Sequence, residues 1–587
     1  MLTQLPPELI LSILQHLQPA DEATIPTLLA VSLTSSVVLP LARSSSLWRP
    51  ILAQEYPLRP SPPAAVLEET GADDAAFFAF RHRAERDRRA RELVRELQKP
   101  ENRLPTMEEL RSIGPDVIEH LERPAAFTEE KRPESWLSLQ YWARATRLAL
   151  LRQESVDVWT GITQRAEAGE ENEDDFEKGL DAFGAFRGLD PLQLPRDRYD
   201  PSLHTRLVEA TSHPPYEGPK RLEWIANEVV EYMSSIGLKA AADGAFHNLD
   251  NHFVGLVWQD AGSSNSGSLP MTLVAVFCSL LRRLPVAQRF GICAKPIGFP
   301  GTMLAGVFHE GSEEVVYLNV YGGGKVIKRE AMEAIVRAMG QPVLPEFFRP
   351  ASAREMCLRV ARNILTSVRQ GERAPGQAIS HQDAIESLYG VAHALFILVS
   401  PGDVDPPELV TYGEWLVSLV QAEYPLDVTF IEQRVLPRQE EERRERTKAL
   451  CEAIRQDDKA PKEKKWVSAA IKWRIGHVFR HRLFGYLAVV RGWDYTCEAS
   501  ETWIQQMRVD TLPYGRHQPF YHVIVEDGSV RYVANENITD TPIHDFEVDA
   551  FLSNETLGRY FRKRERREDG RWTFVPSLEV EAEYPDS

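Results

Sequence analysis

The apolar positions of the chain change period several times, and each change marks an element. Leu5, Leu9, Ile10, Ile13, Leu14 and Leu17 fall at helical spacing, and Pro6 and Pro7 stand where a first helical turn tolerates a missing N–H. Runs at 28–33 and 37–41 predict two further short helices, closing at Leu47 and Trp48. Helical character returns at 73–98 with charges of mixed sign, then at 136–151, 176–186 and 221–236. Residues 271–284 are apolar on almost every side and predict a buried helix, followed by short apolar strands at 290–295, 303–309 and 315–320. Helices at 381–399 and 409–419 follow, and then a mixed-charge helix over 437–465 that ends in a Lys/Pro linker.

From Ile471 the period falls to two. Strands are expected at 478–481, 486–490, 520–526 and 530–534, with turns at Phe484-Gly485 and Asp527-Gly528 and one short helix at 501–506. Beyond Asp540 a basic run (560–567) and an acidic end (579–586) read as a short helix and a tail. The pattern therefore predicts a multidomain α+β chain. Its segments are an N-terminal helical module (1–55), a helical spacer (56–130), a mainly helical body with an α/β core (131–436), a charged linker (437–465), a small SH3-like β-barrel (466–545) and a C-terminal tail (546–587).

Composition narrows what these parts do. A chain of 587 residues exceeds one compact core, and roughly three to five domains are the prior. A formal net charge of −18 argues against broad, nonspecific nucleic-acid binding, which needs a positive field, and leaves room for a local basic patch. Cys278, Cys293, Cys357, Cys451 and Cys497 form no CxxC pair and no zinc spacing, so no metal, no cofactor and a reducing compartment are expected. Residues 23–42 carry no charge, but Pro26 and Pro40 interrupt them and no basic segment precedes them. No membrane span and no signal peptide are expected, which points to the cytoplasm or nucleus.

The N-terminal run LPPELILSILQHL…LLAVSLTSS…LWRPIL resembles an F-box. That resemblance implies docking to the Skp-type adaptor of a cullin–RING ubiquitin ligase, with Leu5, Pro6, Leu9, Ile10, Ile13, Leu14 and Leu17 as anchors and Trp48 closing the module. Pro40 and Arg43 make the middle helix the atypical part. Taken without the resemblance, the same pattern describes a small helical cap that buries its own apolar face.

The buried helix followed by strands is the core order of papain-like folds. The segment from 175 resembles bacterial transglutaminase-like proteins of the Sir type through His247-Asn248-Leu249-Asp250-Asn251-His252, Ser268-Leu269-Pro270-Met271-Thr272, Pro300-Gly301-Thr302-Met303-Leu304 and Asn319-Val320-Tyr321-Gly322-Gly323. The segment Glu355-Met356-Cys357-Leu358-Arg359-Val360-Ala361-Arg362-Asn363-Ile364-Leu365 resembles the closing helix of that family. A thiol-transfer site needs a Cys at a helix start, a His and an orienting acid. By the resemblance those positions hold Thr272, Thr302 and Asn319. Neither Thr nor Asn supplies a base or a carboxylate, so a catalytically degenerate core is expected. Cys278 reads as packing, a relocated site at Cys293, His309 and Glu310 is the weaker alternative, and Gly322-Gly323-Gly324-Lys325 reads as a turn because it lacks the rest of a phosphate loop.

The last domain resembles the YccV/HspQ-type hemimethylated-DNA-binding-like family through Gly476-His477-Val478, Gly492-Trp493-Asp494, Gln518-Pro519-Phe520-Tyr521-His522 and Arg531-Tyr532-Val533-Ala534. Eight Lys/Arg against eight Asp/Glu between Trp466 and Asp540 argue against DNA and for a protein ligand. Arg480, His481, Trp493, Tyr514 and Tyr521 are the candidate ligand surface. The three segments in this order resemble F-box-only proteins. The combination implies the substrate-receptor subunit of an SCF-type ligase, with an unknown protein substrate. A papain-like enzyme and a DNA-binding regulator are the alternatives.

Overall fold

In the computed structural model residues 5–585 are described, apart from 59–72, 122–133, 171, 192–200, 243, 260–266, 313, 372–378, 400–405, 440, 460–462 and 542. Part of the expected spacer and several loops therefore lie outside the described residues. The chain forms two compact units, one of residues 1–150 with 449–587 and one of residues 151–448.

Four short helices open the first unit: α1 (Pro7–Gln15), α2 (Thr24–Ser32), α3 (Val38–Ala42) and α4 (Ser45–Glu55). Extended Pro6 precedes Pro7 in the first turn of α1, and the Ser44 hydroxyl caps α4. Ile10, Leu14, Leu28, Val38, Leu47 and Trp48 make one core. The Trp48 indole donates to the Ala42 carbonyl at 2.7 Å. Its ring meets Phe77 edge-on at 5.1 Å. Phe77 belongs to α5 (Ala75–Glu96), so this helix is more than the spacer expected from its charges: its first turns complete the N-terminal core. Further along it, Asp87 accepts from the Tyr56 hydroxyl at 2.7 Å, and Arg83 stacks over Tyr56. Helix α6 (Arg103–Ile113) follows, and then α7 (Trp136–Ala168).

The second unit holds α8 (Asp175–Phe186), α9 (Pro219–Ser235), α10 (Pro270–Arg283), strands β1 (Ile292–Ile297), β2 (Leu304–His309), β3 (Val315–Asn319) and β4 (Lys325–Ile327), and then α11 (Arg329–Ala338), α12 (Ala353–Gly371), α13 (His381–Leu398) and α14 (Pro406–Ala422). The sheet runs β1-β2-β3-β4, antiparallel throughout. Residues 271–281 of α10 are all buried, as an uninterrupted apolar run requires. Gly179 of α8 allows the closest helix contact: a Cβ there would stand 2.5 Å from Cys357 Sγ.

The chain then returns to the first unit. After α15 (Glu441–Lys459) come β5 (Val478–Arg480), β6 (Leu487–Asp494), α16 (Glu501–Gln506), β7 (Phe520–Val525) and β8 (Val530–Ala534). These four strands form one antiparallel meander. The expected C-terminal tail is the main correction to the sequence reading. Residues 545–584 form α17 (Asp545–Phe551), a hairpin of β9 (Phe561–Arg566) and β10 (Trp572–Pro576), and α18 (Leu578–Glu583). Phe551, Leu557, Phe561, Phe574 and Tyr584 share one core with Trp493 and Tyr521. A bridge from His477 to Thr573 ties the hairpin to the meander. Gly476 makes that approach possible, since a Cβ there would lie 1.8 Å from the Phe574 carbonyl oxygen. The charge run on β9 hid the strand, because its arginines face acids: Arg564 pairs with Asp549, and Arg566 with Asp545 at 2.7 Å.

Candidate functional site

The core of the second unit places its three key positions on separate elements. Thr272 lies buried in the first turn of α10, its hydroxyl donating to the Asn251 carbonyl at 3.4 Å. Thr302 sits in the turn before β2, its N–H donating to Phe299 at 3.3 Å. Asn319 ends β3, and the β2–β3 register, in which Ala305 faces Leu318, brings it to the same end of the sheet. The Asn319 side chain accepts from the Gly322 N–H at 2.9 Å, and its carbonyl accepts from Gly324 at 2.9 Å. Asn319 thus shapes the Gly-rich turn, which accounts for the three glycines without a phosphate ligand.

The alternative thiol site does not assemble. Cys293 pairs with Phe308, and Ile292 with His309. Residues directly opposite share a face and successive residues alternate, so Cys293 and His309 project to opposite faces of the sheet. The Cys293 thiol donates to the Phe308 carbonyl at 3.6 Å, and burial pushes its pKa up to about 11. Burial pushes Cys278 up to about 12, and it raises Cys357 and Cys497 as well. The thiolate, the reactive form, is therefore scarce, about one part in a thousand for Cys293 at pH 8. Iodoacetamide labelling of Cys293, followed by mass spectrometry, is expected to rise about tenfold per pH unit between pH 7 and 10. A rate that levels off by pH 8 would reveal an activated thiol.

One cluster escaped the sequence reading. Ser367 of α12 is fully buried between two imidazoles, with His252 Nε2 at 2.8 Å and His247 Nδ1 at 3.2 Å from its hydroxyl. Burial, then the neighbouring His247, pushes the His252 pKa down to about 3, so His252 stays neutral and the cluster serves to fix the 249–252 turn against α12. Its sequence signal was only two histidines five residues apart.

The barrel surface differs from expectation. Trp493 and Tyr521 are fully buried core residues and His481 is nearly so; this removes all three from the candidate ligand surface. In so small a barrel the large rings are needed to fill the interior. The His481 Nδ1 accepts the Leu483 and Phe484 amides at 3.2 Å each, and burial followed by Arg531 pushes its pKa down to about 4. Arg480 donates to the Gly485 carbonyl at 2.6 Å and pairs with Glu547. Tyr514 remains exposed. The turn residues Leu483 and Phe484 are also exposed, at 67% and 73%. Asp494 is the buried polar centre. Burial would raise its carboxyl, but donors from His522 (3.0 Å), Lys465 and Tyr532 (2.6 Å) hold it well below the usual carboxylate range.

On the N-terminal module the anchor set divides. Ile10, Leu14 and Trp48 are buried in the module's own core and Leu17 packs partly against it, which withdraws Ile10, Leu14 and Trp48 as partner anchors. Pro6 is exposed, as are Leu5, Leu9 and Ile13; Leu9 and Ile13 are 52% and 50% exposed. Leu29, Leu33 and Val37 of α2 and the loop after it are exposed too.

Comparison with known proteins bears on two of these regions. Residues 219–362 match the family model of the transglutaminase-like superfamily, and residues 471–568 match that of hemimethylated DNA-binding protein YccV like. The chain carries both domains. F-box only protein 21 of Pongo abelii is 27% identical over 337 residues, and that of Homo sapiens 26% over 339. Each alignment covers 54% of this chain and 49% of the relative. The Mus musculus protein of the same name is 27% identical over 339 residues, with the same coverage. The chain thus spans about half the length of the curated relatives it matches. No solved structure matches it. Thr272, Thr302 and Asn319 all lie within the transglutaminase-like match. The YccV-like match runs through β9, in keeping with a hairpin that belongs to the barrel. No described helix is long and apolar enough to cross a membrane.

Proposed function

We propose that the chain is the substrate-receptor subunit of an SCF-type cullin–RING ubiquitin ligase. Its N-terminal module is an F-box that docks a Skp-type adaptor, and its transglutaminase-like and YccV-like domains hold a protein substrate. The observation that carries this reading is the exposed apolar set Leu5, Leu9, Ile13, Leu29, Leu33 and Val37 on a module whose own core is already complete. A helical module that has filled its core and still exposes six large apolar residues is built to cover them with a partner. The relatives named F-box only protein 21 support the assignment. The receptor is non-catalytic: Thr272, Thr302 and Asn319 offer no thiolate, imidazole or carboxylate, and the nearby thiols are pushed toward the neutral form. DNA is disfavoured as the barrel ligand, since Arg480, Arg516 and Arg566 are already paired with acids.

The test is co-purification with the adaptor. Leu9→Asp with Ile13→Asp is expected to weaken adaptor binding more than a hundredfold while leaving the melting temperature unchanged, since both side chains already face solvent. Ile10→Asp, by contrast, buries a charge and is expected to unfold the module. A folded double variant that still binds the adaptor would reject the F-box reading.

A further inference from the structure

Arg359 differs from the other well-shielded arginines of its unit. Arg152 pairs with Asp427, Arg187 with Asp383 and Arg282 with Glu177. Arg359, half-buried on α12, has no carboxylate within ion-pair distance among the described residues. Its Nη2 donates to the Thr302 carbonyl at 3.2 Å and to the Phe299 carbonyl at 3.5 Å. Its Nε and Nη1 make no hydrogen bond among the described residues. Burial lowers its pKa, and Glu355, exposed one helical turn earlier, offsets only part of this. Glu355 Oε1 borders Gly298 of the same loop, where a Cβ would come within 3.4 Å of it, but it forms no ion pair with Arg359, so this partly desolvated cation has room for a closer anion.

The surroundings specify which anion. Thr302 is half-buried, and its hydroxyl makes no hydrogen bond among the described residues. Gly301, the residue before it, lies at φ +76°, and a Cβ there would come within 3.4 Å of the Met339 methyl. Met339 is an exposed apolar residue beside this loop. The remaining Nε–H and Nη1–H donors, one hydroxyl and an apolar side chain at the rim match a single carboxylate next to an apolar group. Phosphate carries about two charges and gathers several cations.

We propose that the 298–302 loop with Arg359 is a binding site for a peptide carboxylate, a C-terminus or an Asp/Glu side chain. Arg359 serves as its ion partner and Met339 as its apolar rim. The proposal deepens the receptor reading by naming what the transglutaminase-like core holds, and rests on that reading for its purpose.

The experiment needs no adaptor, so it stands apart from the F-box test. Immobilised full-length protein is offered random decapeptide libraries of four kinds, with free or amidated C-termini and with Asp/Glu or Asn/Gln. Libraries bearing carboxylates are expected to be retained at least tenfold above the amidated Asn/Gln library. Loss on amidation identifies the C-terminus as the source, and loss on Asn/Gln substitution identifies side chains. Arg359→Gln is expected to abolish the difference and Arg359→Lys to keep part of it. Met339→Asp, on the surface, is expected to reduce it at an unchanged melting temperature. If Arg359 only pins the loop, Arg359→Gln lowers the melting temperature and no library is preferred by the wild type. Equal retention of all four libraries, or a full preference in folded Arg359→Gln or Met339→Asp, overturns the proposal.

Discussion

A chain ending at Asp540 is expected to lose its YccV-like barrel altogether. The removed segment looks dispensable in sequence, yet it supplies Phe551, Leu557, Phe561, Phe574, Val580 and Tyr584 to the core around Trp493. Each large apolar side chain is worth about 1.5–3 kcal/mol when buried, and whole domains are stable by about 5–15 kcal/mol. Six such losses exceed what the barrel can spare. Truncation also opens Gly492 and Gly476, positions that Tyr584 and the Phe574 backbone approach too closely for any side chain. Circular dichroism melting and soluble yield are the readouts. The full chain is expected to show a cooperative barrel transition that the shortened chain lacks. Gly476→Ala should approach the same outcome, since its Cβ would overlap the Phe574 carbonyl and its φ of +79° strains any other residue. A shortened chain with an unchanged melting curve would restore the tail reading.

The second large effect is expected at Asp427→Ala in the other unit. Asp427 is fully buried, accepts from Arg152 Nε at 2.8 Å and from the Tyr389 hydroxyl at 3.1 Å, and lies beside the stacked Tyr389–Tyr424 pair. Removing the acid leaves the buried Arg152 guanidinium without its counter-charge, which costs about 3–5 kcal/mol. Arg152→Met with Asp427→Leu removes both charges and is expected to recover more than half of that loss, although the Tyr389 hydroxyl loses an acceptor. Urea unfolding of the two variants and the wild type decides it. A double variant no more stable than Asp427→Ala would mean that packing, and not the ion pair, governs the site.

How far the sequence carried this reading varies by region. The α10–β3 order was legible because burial on all sides leaves an uninterrupted apolar run, and the strands fall within two residues of their expected places. That Thr272, Thr302 and Asn319 carry no thiol, imidazole or carboxylate was legible too, since residue identity alone decides it. The split of the N-terminal anchors was not. Leu9 and Ile10 are both apolar and adjacent, as are Ile13 and Leu14, so the helical stripe is wide enough to face two ways. Only the packing of α2, α3, α4 and α5 takes Ile10 and Leu14 inward. The barrel aromatics failed for a related reason: Trp493, Tyr514 and Tyr521 look alike in sequence, and closure of the sheet buries the first and last. Strand β9 was hidden because the eight consecutive charged residues 562–569 read as solvated until the acids of α17 come within reach of its arginines.

Arg359 marks the boundary between the two kinds of information. Its place on an amphipathic helix follows from periodicity alone. That it reaches the Thr302 loop and forms no close ion pair there among the described residues follows only from how α12 packs. By itself the sequence determined most of the elements and their order up to residue 540, which are local properties. The tertiary structure decided which apolar faces are spent on the protein's own core and which charges pair, because burial and charge pairing depend on residues from other elements of the chain.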